Sequence, residues 1–243
     1  MNLDRTLAIA GKIVLQLLHD RRSIALVIGA PIIVMSLVGF SFSNQPEILN
    51  RIAPALIGTF AFFFTFLLTG ITFLRERTQG TLERMLVTPV GRIDILIGYL
   101  LGFIPFAAAQ SAVIVTFTVL ALDITHQGSL LNVAILLLAL VVAAVNLGIF
   151  ISIFAKNEFQ ITQFLPIVLA PQVFLSGIIL PIEQMPSYFQ LLSRIMPLRY
   201  AVDGLQSIML RGSELSSITG ELTILLVFAL ALLILASFTI RRA

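Results

Sequence analysis

Chemistry in this chain would have to come from a short supply of charged side chains, and one run holds most of them. It reads Leu74-Arg75-Glu76-Arg77-Thr78-Gln79-Gly80-Thr81-Leu82-Glu83-Arg84-Met85-Leu86-Val87-Thr88-Pro89-Val90-Gly91-Arg92. The run lies between two segments long enough to cross a bilayer. Arg75 to Thr78 extend the preceding helix out of the lipid. Gly80 is a poor helix residue and permits a break. Thr81 is then expected to cap a new short helix, with Glu83 favourably placed in its first turn. Leu82, Met85 and Leu86 fall at i, i+3, i+4 and make one apolar face. Thr88-Pro89 ends the turn and prepares the next helix. The spacing predicts a helical elbow over 75–92 on which a partner protein could push. A solvated loop marking the membrane edge has the same composition and is the alternative.

Other chemistries are poorly supplied. The chain has no Cys, which excludes disulfides and thiolate metal sites. Only His19 and His126 are present, too few for a metal cluster or for His-based acid–base work. Gly11-Lys12 lacks the upstream glycine of a phosphate loop, and no Gly-x-Ser-x-Gly or His-Glu-x-x-His occurs. Asp94 and Asp123 lie only at the edges of apolar segments, whereas an ion-coupled carrier usually carries intramembrane carboxylates. Thr65, Thr69, Gln110, Asn146, Gln160, Gln163 and Gln172 are the remaining polar groups at membrane depth, and helix–helix hydrogen bonding is their ordinary role. No enzyme activity and no cofactor are expected on this chain.

The elements that must position the elbow follow from hydropathy. Of 243 residues 58% are hydrophobic and 11% charged, far from a soluble domain and diagnostic of an integral membrane protein. The basic residues sit at segment ends rather than in one patch, which argues against nucleic acid. Residues 1–22 read as an amphipathic helix lying in the interface. Six apolar segments then meet the roughly 20-residue requirement for a span: 23–42, 52–74, 93–122, 129–155, 159–180 and 222–240. A polar turn over 43–51 separates the first two, and Lys156-Asn157-Glu158 separates the fourth from the fifth. Between the fifth and sixth, 181–221 holds two short helices, one capped by Ser187 and ended by Pro197, the other running from Tyr200 to Arg211 and ended by Gly212. Neither is long enough to span, so both are expected to dip in and return. The fold class is therefore all-α, one transmembrane domain over 1–243.

Six spans put both termini on one side. That side collects Arg5, Lys12, Arg21, Arg22, Arg75, Arg77, Arg84, Arg92, Lys156, Arg241 and Arg242. The other collects Arg51, Arg194, Arg199 and Arg211. The asymmetry predicts cytosolic termini and a cytosolic elbow, with the 181–221 segment outside.

A path with no visible energy source suits a subunit driven by a separate motor. At this point the chain resembles the permease of the ABC-2 type family, the membrane half of type V ABC exporters, in its daunorubicin-resistance-permease-like branch. Arg75 to Val90 match that family's Arg-Glu-Arg, Gly-Thr-Leu-Glu and Thr-Pro pattern almost position by position. Ser176-Gly177 to Pro181, Pro186, and Pro197-Leu198-Arg199-Tyr200-Ala201-Val202-Asp203-Gly204-Leu205 add to it. The resemblance implies a dimer of permeases, identical or paralogous, in contact with membrane lipid, with two ABC ATPase subunits below carrying ATP and Mg. It implies that 1–22 is a connecting helix. It implies that Arg75, Glu76, Arg77, Thr81, Leu82, Glu83, Arg84 and Met85 form a coupling helix, with Lys156 a second contact. It also implies that spans two and five line the path, for which Phe62, Phe66, Thr69, Gln163, Gln172 and Phe174 are the candidates. An amphipathic or hydrophobic substrate, a drug, lipid or lipid-linked glycan, and a prokaryotic inner membrane are the expected setting. A gradient-driven transporter or channel, or a structural subunit, is the competing expectation.

Overall fold

The computed structural model describes residues 3–239, so Met1, Asn2, Ile240, Arg241, Arg242 and Ala243 lie outside the described residues, and with them the Arg241-Arg242 pair counted above. The described chain is all helix and turn, with ten α-helices: α1 Leu3–His19, α2 Arg21–Ser41, α3 Pro46–Thr78, α4 Thr81–Leu86, α5 Arg92–Ala121, α6 Leu130–Ser152, α7 Glu158–Phe174, α8 Ser187–Ser193, α9 Pro197–Arg211 and α10 Thr219–Thr239.

Helix α1 has three faces. Thr6, Ile9, Ala10, Ile13 and Leu17 are buried against the chain, Leu3, Leu7, Leu15 and Leu18 are exposed and apolar, and Asp4, Arg5, Lys12 and His19 occupy the rest. A helix with one packed side, one lipid-compatible side and one wet side is suited to lie in a membrane interface. It seats on α5 where Gly98 and Gly102 leave no room for a side chain: a Cβ on either would stand 2.7 Å from the Cβ of Ile9 or Ile13. The break to α2 comes at Asp20, earlier than the residue-22 boundary read from charge, because the Asp20 N–H already closes on the carbonyls of Gln16 and Leu17.

Two prolines, Pro46 read within a turn and Pro197 read as a helix breaker, begin helices. Pro46 opens α3, so most of the expected polar turn over 43–51 is helical and α3 reaches 33 residues. Pro197 opens α9, three residues ahead of the expected start. Both follow from the missing N–H of proline costing nothing in the first turn. At roughly 1.5 Å per residue α3 is about 50 Å long and exceeds a ~30 Å hydrocarbon layer. Ser187 is the first residue of α8 and does not cap it; Pro186 holds the cap position.

Among the described residues four helical segments are long and apolar enough to cross a membrane: Pro46–Thr78, Arg92–Ala121, Leu130–Ser152 and Leu215–Thr239. The apolar part of α2, Val27–Ser41, is shorter. Helix α7 stops at Phe174, six residues before the expected end. Pro171 interrupts its hydrogen bonding, and Gly177 at φ +82° turns the chain away.

Helices α3 and α6 form the centre. They cross where Gly148 meets Thr69: a Cβ there would be 2.1 Å from Thr69 Oγ1 and 2.8 Å from the Phe66 carbonyl oxygen. Small residues let membrane helices approach this closely, and packing rather than hydrophobicity then holds them. Around the crossing the core divides into two large clusters, with a small third one of Leu74, Ala155 and Ile161. Phe62, Phe66, Leu136, Leu140, Leu198, Leu205 and Ile208 pack toward the α9 end. Ile9, Ile13, Phe73, Leu82, Tyr99, Phe103 and Ile149 pack toward the elbow. Helix α9 lies along α3 and α6 through its apolar side, with Leu205 against Gly58 and Leu136 against Gly204. Ile33, Leu37 and Phe40 of α2, and Leu226, Val227, Leu230, Ile234 and Phe238 of α10, are left exposed. In hydrocarbon such a surface carries no penalty.

Candidate coupling elbow and membrane path

The elbow is built by a glycine. Gly80 adopts φ +72°, open to glycine at little cost, and it occupies the cap position of α4. Thr81 is therefore the first helical residue and makes no cap hydrogen bond, a correction to its expected capping role. Leu82 is buried, and Met85, Leu86 and Val90 pack partly against the same core as Ile9 and Tyr99. The apolar face of α4 thus faces its own chain. Gln79, Glu83, Arg84, Val87, Thr88 and Pro89 point outward. Asp94 closes the far side: its carboxylate accepts the Gly91 N–H at 3.3 Å and caps α5.

Four basic residues brace this wedge and the end of α3 that carries it. Arg5 of α1 donates to the Pro89 carbonyl. Lys12 pairs with Glu76 at 2.5 Å, and the Tyr99 hydroxyl donates to the same carboxylate oxygen at 3.2 Å. Glu76 is 3% exposed, so this node joins α1, α3 and α5 internally rather than offering a charge to a partner. Arg75 grips Glu158 through two hydrogen bonds, Nε to Oε1 at 2.6 Å and Nη2 to Oε2 at 3.2 Å, and reaches Asp20 at 3.5 Å. The Arg75 guanidinium holds the Glu158 carboxyl below its ordinary value. Arg77 donates to the carbonyls of Ile153, the C-cap of α6, and of Ala155 in the turn beyond it, where carbonyls lack helical partners.

The Lys156 turn is part of the same construction. Asn157 caps α7 by accepting the Gln160 N–H at 2.9 Å, and the Lys156 N–H is held by Gln160 Oε1 at 2.6 Å. The Lys156 side chain is exposed. Arg75 and Arg77 therefore tie the elbow directly to the turn that carries Lys156. These links span 76 to 83 residues of sequence, and no local signal announces them.

The candidate path residues separate. Phe62, Phe66 and Thr69 are buried within the chain's own core, and Thr69 donates back to the Thr65 carbonyl at 2.8 Å. Gln172 is buried with its Oε1 accepting the Leu198 N–H at 3.1 Å, which fixes the start of α9. Gln163 and Phe174 lie on the open side of α7 with Phe159, Pro166, Ile167 and Ala170. On α3 the partly open side is Phe60, Phe63, Leu67 and Ile71. Gln110 bridges helices, donating to the Phe60 carbonyl at 3.3 Å, whereas Asn146 bonds its own helix at Val142.

Comparison with known proteins gives this architecture its context. The chain is 24% identical over 166 residues to ABC transporter G family member 20 of Dictyostelium discoideum, covering 68% of this chain and 23% of that one. It is 28% identical over 176 residues to the probable multidrug ABC transporter permease YbhR of Escherichia coli, covering 72% and 48%. It is 27% identical over 158 residues to the linearmycin resistance permease protein LnrN of Bacillus subtilis, covering 65% and 41%. The chain spans about half the length of these relatives or less. The family model described as ABC-2 type transporter matches residues 5–210, from α1 through the elbow to the last turn of α9, and the chain belongs to that family.

Proposed function

We propose that this chain is the membrane-spanning permease subunit of an ATP-driven exporter, with ATP and Mg handled by a separate ABC ATPase that docks on the elbow. The observation that carries the reading is the construction of α4. Its apolar face is used internally, Arg5 of α1 holds the turn after it, Lys12, Arg75 and Arg77 lock the end of α3 before it to α1, α7 and the turn after α6, and Glu83, Arg84 and Val87 are exposed to meet a partner. A surface this well braced moves its neighbours when pushed. Lys156 would add a second contact at the braced turn.

In this reading α2 and α7 also cross the membrane, giving six spans, and the basic end carrying α1, the elbow and the Lys156 turn faces the cytosol of a prokaryotic cell. Two permeases, identical or paralogous, pair around a path lined by the open sides of α3 and α7, with two ATPase subunits below. The apolar, Phe-bearing lining suits an amphipathic or hydrophobic substrate such as a drug, lipid or lipid-linked glycan. ATP binding and substrate would favour different packings of α3 and α7, and transport follows from that difference.

The test is ATP hydrolysis by the complex reconstituted in lipid with its neighbouring ATPase, comparing wild type with Glu83→Ala and Arg84→Ala. Both side chains are exposed, so the substitutions should leave the fold intact. Loss of permease-stimulated hydrolysis with retained membrane assembly supports the docking role. Undiminished stimulation, or transport without any nucleotide, removes it.

A further inference from the structure

At the end of the molecule away from the elbow, a cavity of about 660 Å³ opens between the start of α3, the turn after α7, and α9. Arg51 and Arg75 are 24 residues apart on one helix, so this cavity stands roughly 36 Å from the elbow. Three arginines line it: Arg51 from α3, and Arg199 and Arg211 from the two ends of α9. Two carboxylates, Glu183 and Asp203, share the wall. Cations outnumber anions.

The arginines are incompletely used. Arg199 Nη1 donates to Ser193 Oγ at 2.7 Å, but its Nε is buried without a hydrogen-bond partner. The nearest carboxylate oxygen, on Asp203, is 3.7 Å from that nitrogen, beyond hydrogen-bond reach. Arg51 and Arg211 form no ion pair among the described residues. A buried donor left open is costly and normally finds an acceptor. Beside the charges, Ile48, Ile52 and Ile178 make an apolar flank. Guanidinium groups match oxyanions in geometry as well as in charge, because their planar fork donates two parallel N–H bonds.

We propose that this cavity binds a phosphate group, carried by a lipid headgroup or free in solution, through Arg51, Arg199 and Arg211. Nothing in the proposal requires an ATPase on the elbow, so it stands or falls separately from the exporter reading.

The experiment is direct binding to the purified full chain in neutral detergent, followed by calorimetry at low and at high ionic strength. Three probes are used: inorganic phosphate, dihexanoyl-phosphatidylglycerol below its micelle concentration, and uncharged dihexanoylglycerol. The proposal expects both phosphate-bearing probes to compete for one site, weakened by salt, and dihexanoylglycerol not to bind it. Arg199→Gln, Arg51→Gln and Arg211→Gln should each weaken binding roughly tenfold or more, since one charge-assisted hydrogen bond is lost. Arg194→Gln removes an exposed arginine nearby that does not line the cavity, and should leave affinity unchanged. Phosphatidylglycerol binding at least tenfold tighter than phosphate identifies a lipid headgroup; equal affinity identifies the free anion. Binding of dihexanoylglycerol as tight as phosphatidylglycerol, no binding of either phosphate probe, or affinities untouched by Arg51→Gln and Arg211→Gln would overturn the proposal. Those two side chains are at the surface, so their loss does not threaten folding.

Discussion

Lys12 and Glu76 are bonded to each other, yet their removal should not cost the same. Glu76 is 4% exposed at its side chain and Lys12 is 40% exposed. Lys12→Met leaves a carboxylate buried, with only the Tyr99 hydroxyl still donating to it. Breaking a buried pair from one side costs on the order of 3–5 kcal/mol when the orphaned charge stays buried, and the lower end applies because Tyr99 remains. Glu76→Gln leaves instead an ammonium that is already near water and an amide that still accepts from Tyr99. Its cost should be about 1 kcal/mol, that of one modest hydrogen bond. The double variant removes the orphan altogether, so it should recover most of the Lys12→Met loss. Unfolding of the three variants in one detergent, read by thermal melting, gives the order directly: Lys12→Met lowest, Glu76→Gln and the double variant together above it. If an ATPase docks on the elbow as proposed, coupled ATP hydrolysis should follow the same order, since the node joins α1 to the root of the elbow. Equal losses for the two single variants, or a double variant at the sum of both, would show that the charge of Glu76 is not held by Lys12.

Two further expectations concern the helix crossing and acidity. Gly148→Ala places a methyl 2.8 Å from the Phe66 carbonyl oxygen, a backbone atom that moves only if α3 and α6 separate. We expect a net loss of about 2 kcal/mol after the helix-propensity gain of alanine, whereas Gly220→Ala, with nothing within 4 Å, should be neutral or gain up to ~1 kcal/mol. Acidity acts oppositely at two carboxylates. Asp203 is raised above its ordinary value by burial, with Glu221 and Glu183 adding to it and Arg199 opposing. Folded chain therefore binds a proton that unfolded chain releases, and stability falls as pH rises through the interval between the ordinary and the raised value. Asp203→Asn should flatten that part of the pH–stability curve. Glu158, lowered by Arg75, contributes stability above the ordinary carboxylate value that is lost as pH falls through its lowered one. The pair is largely solvent-exposed, so Glu158→Gln should remove under about 1 kcal/mol.

The elbow was legible because its signals are local. Gly80, the Leu82–Met85–Leu86 spacing and the charge around them sit within one or two helical turns, and the break and the apolar face appear where they indicate. Local signals also set the misreadings. A threonine after a glycine reads as a cap, but a glycine free to take φ +72° holds the cap position itself. Proline reads as part of a turn at residue 46 and as a helix breaker at residue 197, although the same missing N–H suits it to the first turn of a helix. Proline and a left-handed glycine together shortened α7, an effect that hydropathy averaging hides.

The inside of the bundle was not legible, and the reason is the solvent. In water an apolar stripe marks the buried side of a helix. In lipid the exposed side is apolar too, so α3 offers Phe60, Phe62, Phe63, Phe64 and Phe66 with nothing in their chemistry to say which are core. What sorts them is steric. Gly148 on α6 admits the Phe66–Thr69 edge of α3, and Gly58 on α3 admits Leu205 of α9. Those two close approaches rotate Phe62 and Phe66 inward and leave Phe60, Phe63 and Leu67 on the partly open side. The polar braces obey the same logic at longer range. Arg77 satisfies the end of α6 and Arg75 the start of α7 because α3 overshoots the hydrocarbon and delivers both guanidinium groups to a level where helix ends and carboxylates collect. The length of α3, more than any motif, thus determines that one rigid element bears the elbow at one end and Arg51 at the other.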